Sequence, residues 1–141
     1  MSISLADVSV GMQLPGQVFP IGRADLVQYA GASGDFNPIH WSQETARSVG
    51  LPDVIAHGML TMATAVRVVT DWLGDPGAVL SYGVRFTRPV VVAYGTPTEV
   101  EVTGSIRSVD QEAATAEVDL LAKVAGETVL ARARVTVRLA V

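Results

Sequence analysis

The chain has 141 residues, enough for one domain with a substantial buried core. With 49% hydrophobic and only 17% charged residues it is no disordered segment, and its sparse polar cover points to an oligomer whose interface hides apolar surface. A net charge of −4 argues against nucleic-acid binding, and the absence of cysteine excludes disulfides, thiolate metal sites and a cysteine nucleophile.

The first residues, MSISLADVSVGMQL, lack a basic flank followed by an apolar run, so the expectation is a cytoplasmic protein without a signal peptide. Residues 1–22 are punctuated by Gly11, Pro15, Gly16 and Pro20 and read as extended chain. Arg23–Ala32 is a short helix with Leu26, Val27, Tyr29 and Ala30 on its apolar side, closed by Gly31 and Gly34. The polar loop Gly34–Trp41 follows. It is stiffened by Pro38, which fixes its own φ and pushes Asn37 toward extended geometry. Ser42 can cap a further short helix, which Gly50 and Pro52 stop.

Gly58–Leu73 is a long apolar segment with Thr61, Thr64, Arg67 and Asp71 recurring every three or four positions. That pattern predicts a core helix carrying one narrow polar stripe. Arg67 and Asp71 interrupt it, and it is too short to span a bilayer. Gly74, Pro76 and Gly77 end it, and the period then becomes two. Tyr82, Val84 and Phe86 alternate with Gly83, Arg85 and Thr87; later Val129, Ala131, Ala133, Val135, Val137 and Leu139 alternate with Leu130, Arg132, Arg134, Thr136 and Arg138. About five antiparallel strands with one buried helix make an α+β class, a sheet curled around that helix. The last three strands are expected as a meander, joined by short spacers at Ser108–Ala113 and Ala125–Glu127.

The chemistry concentrates between Ser33 and His57. Asp35 and His40 are an acid and a base close together on a stiff loop, and an imidazole can take or give a proton near neutral pH. Asn37 can bond backbone groups of its own loop. Gly58 opens the long helix with no side chain, so an oxygen could approach its unpaired N–H closely. Acid, base and oxyanion donor together suit proton abstraction next to a carbonyl, with loss or gain of water. The same loop also reads as a turn in which Asp35 and Asn37 only bond backbone, and His57 as a capping or packing histidine. Asp35, His40 and His57 are a conceivable metal set, but their spacing is not diagnostic and no metal is expected.

The run Gly34–Asp35–Phe36–Asn37–Pro38–Ile39–His40 resembles the G-D-x-N-P-[IL]-H motif of the MaoC-like group, the R-specific enoyl-CoA hydratases and R-3-hydroxyacyl dehydratases. Ala56–His57–Gly58–Met59–Leu60 is similar to the family's start of the central helix, and the likeness continues through Gly74–Val79 and Val84–Thr87. Over most of its length the chain resembles the catalytic B subunits of (3R)-hydroxyacyl-ACP dehydratases of mycolate-type fatty acid synthesis. The resemblance implies a single hot-dog domain over residues 1–141 that catalyses reversible dehydration of (3R)-hydroxyacyl thioesters. It implies Asp35 and His40 as the catalytic pair and the Gly58 N–H at the thioester carbonyl, with Asn37, His57, Met59 and Arg85 on the substrate side. It requires neither metal nor redox cofactor. Its partners would be an acyl-CoA or acyl-carrier-protein thioester and, in a homodimer or heterodimer, a second hot-dog subunit. Arg85, Arg88 and Lys123 are candidates for a polar mouth, and Tyr29, Met62 and Trp72 for a tunnel wall. The rival readings are a hot-dog thioesterase and a non-catalytic acyl-binding partner subunit.

Overall fold

A computed structural model describes residues 3–141; the first two residues of the expected extended N-terminus lie outside it. In chain order the elements are β1 (Gln13–Ile21), α1 (Arg23–Ser33), α2 (Gln43–Ser48), α3 (Gly58–Leu73), β2 (Val79–Phe86), β3 (Thr98–Asp110), β4 (Thr115–Val124) and β5 (Glu127–Arg138). Single 3-10 turns sit at Leu5–Asp7, Pro38–His40 and Pro76–Ala78. The strands form one antiparallel sheet in the order β1-β3-β4-β5-β2. α3 contacts all five of them, so the sheet curls around this helix as the sequence pattern predicts.

The helix boundaries follow local chemistry. α1 ends at Gly34, whose φ of 76° is left-handed and whose N–H bonds the Ala30 carbonyl, a geometry glycine adopts freely. Gly31, expected as a stop, lies inside the helix. Ser42 caps α2 by accepting the Thr45 N–H at 3.2 Å. α3 buries Thr61, Ala65, Val68, Val69 and Leu73. Burying one such valine fully contributes roughly 1.5–3 kcal/mol. The exposed stripe is Met59, Ala63, Arg67 and Asp71, so of the predicted polar stripe only Arg67 and Asp71 lie on it. Thr61 turns inward at 3% exposure, and Thr64 satisfies its hydroxyl on the Leu60 carbonyl. Among the described residues no helix is long and apolar enough to cross a membrane.

β1 is an edge strand, and its register shifts between Leu14 and Gln17, where Pro15 and Gly16 stand. β3, β4 and β5 form the expected meander. The β4–β5 turn is Ala125–Gly126, both with positive φ, 50° and 80°, as a two-residue hairpin requires. The predicted alternation fails at one point in β5. Arg132 has a φ of 48°, and the register moves from Ala122↔Leu130 to Leu120↔Ala133. Leu130 rather than Ala131 therefore points into the core, at 0% exposure.

Candidate active site

The polar loop between α1 and α2 is built from its own side chains. Asp35 Oδ1 accepts the Asn37 N–H at 3.1 Å, and Asn37 Oδ1 accepts the Ile39 N–H at 3.2 Å. Two successive turns of this kind, with Pro38 opening the 3-10 turn Pro38–His40, fix where Asp35 and His40 project. His40 is 7% exposed and donates from Nδ1 to the Ile55 carbonyl at 2.7 Å. A carbonyl can only accept, so the neutral ring carries its proton on Nδ1 and Nε2 holds a free lone pair. Nε2 faces Asp35 Oδ2 at 3.8 Å. That separation is too long for a direct hydrogen bond, and one oxygen atom can sit within bonding reach of both groups.

His57 lies directly beneath this pair. It is 2% exposed, and its ring stacks on His40 with centroids 3.7 Å apart and planes at 22°. Its Nε2–H donates to the Asp35 main-chain carbonyl at 3.1 Å, and the Tyr29 ring closes the other side at 4.8 Å. It precedes α3 without capping it through its side chain. Asp35, His40 and His57 place one ligand atom each within 4.8 Å of one another. Both histidines commit one ring nitrogen to a carbonyl, which leaves the other nitrogen of each ring free to accept a proton.

Next to the cluster, a cavity of about 280 Å³ opens at the start of α3. Ile55, Ala56, Gly58, Thr61, Phe86, Arg88, Pro89, Val90, Val129 and Leu130 are among its lining residues. Gly58 is the first helical residue, so its N–H has no carbonyl within the helix to bond. A Cβ there would stand 3.0 Å from the Phe86 ring, so any other residue requires that ring to shift. Ile55 links the two halves, lining the cavity while its carbonyl holds His40.

Three of the expected substrate-side residues do not line this cavity. Asn37 spends its side-chain oxygen on its own loop. Met59 is 57% exposed on the outer stripe of α3 and is not among the cavity's lining residues. Arg85 faces a separate depression on the sheet, beside Glu117, Arg132 and Arg134. Of the three cations proposed for a mouth, Arg88 alone reaches the Gly58 cavity, where it pairs with Glu127 at 3.4 Å. Tyr29 packs on His57 instead of lining the cavity.

An ion pair without any local signature in the chain holds the segment leading to Gly58. Asp53 is 9% exposed. It takes a 2.6 Å bond from Arg23 at the start of α1, a 3.0 Å bond from Gln43 in α2 and a 2.7 Å bond from the Val54 N–H. The Val54 N–H is the main reason its carboxyl is held below the ordinary value; burial opposes that, and Gln43, Arg23 and Arg47 add to the lowering. Arg23 also donates to the Val92 carbonyl at 2.7 Å, tying α1 to the strand-like stretch beside the cavity. On the sheet side, Tyr82 donates its hydroxyl to the Met62 carbonyl, and burial pushes that phenol above its ordinary value.

The model of the MaoC-like domain family matches residues 8–125. The chain belongs to this family. A solved MaoC-like dehydratase superimposes on the protein with a TM-score of 0.96 and 44% identity, over 99% of this chain and 43% of that one. This MaoC-like chain therefore has the hot-dog fold. It is 38% identical over 78 residues, 55% of its length, to 3-hydroxyacyl-thioester dehydratase X of Mycobacterium tuberculosis. It is 32% identical over 87 residues, 61% of its length, to the (R)-specific enoyl-CoA hydratase of Rhodospirillum rubrum. These matches span 27% and 60% of the two relatives' own lengths, so the chain corresponds to part of each.

Proposed function

We propose that this protein is a hydro-lyase of acyl thioesters, interconverting a (3R)-hydroxyacyl thioester and its trans-2-enoyl form. The observation that carries the reading is the 3.8 Å gap between His40 Nε2 and Asp35 Oδ2, together with a Gly58 N–H that has no partner among the described residues. In dehydration, His40 takes the C2 proton, the C2–H electrons form the double bond, and the C3–O bond breaks. Asp35, across the gap, passes a proton to the departing hydroxyl. Passing one proton from His40 to Asp35 across the gap returns the pair to its starting state. The Gly58 N–H stabilises the thioester oxygen as negative charge develops on it. Phe86, Val129 and Leu130 offer an apolar wall to the acyl chain, and Arg88 offers a cation to the phosphate-bearing carrier at the mouth.

The names carried by the two curated relatives, a dehydratase and an enoyl-CoA hydratase, support the same reaction class. The protein acts as one hot-dog domain, paired with a second copy or a second hot-dog subunit. Its β2 edge bonds only β5 within the chain, and Leu80 and Phe86 are 53% and 52% exposed there. The test is chiral analysis of the product formed from crotonyl-CoA. The (R)-3-hydroxy thioester is expected; release of free acid would mean a thioesterase, and an unchanged substrate with the folded dimer would overturn the assignment for short acyl-CoA.

A further inference from the structure

The His57 side chain contributes to neither the cavity wall nor the cap of α3, yet it touches the acid and the base of the proposed machinery. Its ring lies 3.7 Å from the His40 ring, its Nε2–H holds the Asp35 peptide at 3.1 Å, and its own peptide leads into Gly58. Its remaining nitrogen, Nδ1, is buried with no hydrogen-bond partner among the described residues. A buried acceptor left unpaired destabilises a fold, so an apolar ring of the same size would serve packing better. What an apolar ring cannot supply is the bond to the Asp35 carbonyl. We infer that His57 is a positioning residue, which holds the His40 base by stacking and the Asp35 acid through its main chain, at some expense to stability.

The physical argument rests on freedom of motion. His40 is anchored at one atom, Nδ1, and could still swing about that bond; a flat ring stacked below removes the motion. Asp35 is half-exposed, on a loop held by bonds within itself and to Ser33, and the His57 bond ties it to the buried side of the site. The groups facing His57 are Asp35 from the loop, His40 from the 3-10 turn and Tyr29 from α1. None of them donates to Nδ1.

The inference rests on the hydro-lyase reading, and its test separates the two. His57→Phe keeps the ring and removes both the unpaired acceptor and the donor; His57→Gln keeps a donor of similar reach and removes the stack. Each is expected to lower kcat ~10-fold with KM nearly unchanged, because the geometry of the acid and base is altered and the substrate cavity is not. His57→Phe is expected to melt at or above the wild-type temperature. A kcat within twofold of wild type in both variants would overturn the inference, and so would a kcat loss that merely tracks a loss of Tm. The protein has two histidines, so in any His57 variant the single remaining imidazole signal belongs to His40. Its ring-nitrogen NMR signals at alkaline pH are expected to show the Nδ1–H form in wild type and in His57→Phe, and a mixture of tautomers in His57→Gln. If wild type hydrates no enoyl thioester, the function reading fails and this spectrum alone decides. An unchanged single tautomer in His57→Gln would overturn the positioning role.

Discussion

Two depressions lie along the β2–β5 pair, and they differ in chemistry more than in size. The inner one, at Gly58, measures about 280 Å³, and the outer one, at Arg85, about 410 Å³. The larger is walled by Glu117, Arg132 and Arg134, and Asp119 and Glu117 engage Arg107 and Arg134 in a surface charge network. The smaller has apolar walls, one unpaired backbone donor and the His40–Asp35 pair next door. A polar reaction centre gains from fixed donors among apolar walls, and of the two the inner depression has them. Arg85 and Phe86 are adjacent in sequence, but Phe86 reaches the inner side and Arg85 the outer.

The comparison breaks most directly at the acid. Asp35→Asn keeps the loop's acceptor oxygen and removes the titrating group, so kcat for crotonyl-CoA hydration is expected to fall ~100-fold or more. Gly58→Ala places a methyl 3.0 Å from the Phe86 ring, which must then shift at the cavity wall. A loss of roughly tenfold in kcat/KM is expected, partly recovered by adding Phe86→Leu.

The frame around the inner depression is tested through stability. Asp53→Ala leaves Arg23 half-buried without its partner and should cost roughly 3 kcal/mol in urea unfolding. Because the native Asp53 carboxyl is held below its unfolded value, its contribution is full above the ordinary carboxylate range. It is lost as the pH falls through the lowered native value, and Asp53→Asn should flatten that acid limb. The smallest effects separate the two depressions again. Arg88→Ala should raise KM about fivefold, the loss of a partly exposed charge contact worth ~1 kcal/mol. Arg85→Ala should leave kcat and KM within twofold; an effect at Arg85 larger than at Arg88 would place the substrate on the outer side.

How far the sequence could be read depended on how local the cause was. The loop and α3 were legible because their signals are nearby in the chain: Asn37–Pro38 for the turn, Gly34 and Gly74 for helix ends, a mostly apolar run at helical period from Gly58 to Leu73. The meander was legible from alternation and from Ala125–Gly126. What alternation could not show is the irregularity at Arg132, which turns Leu130 inward. Nor could it show the matching register shift between Gly83 and Arg85, which decides where Arg85 and Phe86 project. Thr61 read as surface because it shares the helical spacing of Thr64 and Arg67, yet it sits one turn below Gly58 facing the cavity. The Arg23–Asp53 bond joins residues thirty positions apart and has no local signature at all. The stacking of His57 on His40 is of the same kind, created only when α3 docks behind the loop.

The measurement that tests the central claim most directly is the enoyl-thioester absorbance of crotonyl-CoA mixed with wild-type protein and, separately, with His40→Ala, both shown to be folded by circular dichroism. The account predicts loss of absorbance with wild type and a rate lower by ~100-fold or more with His40→Ala. A folded His40→Ala that hydrates the substrate at the wild-type rate would contradict it.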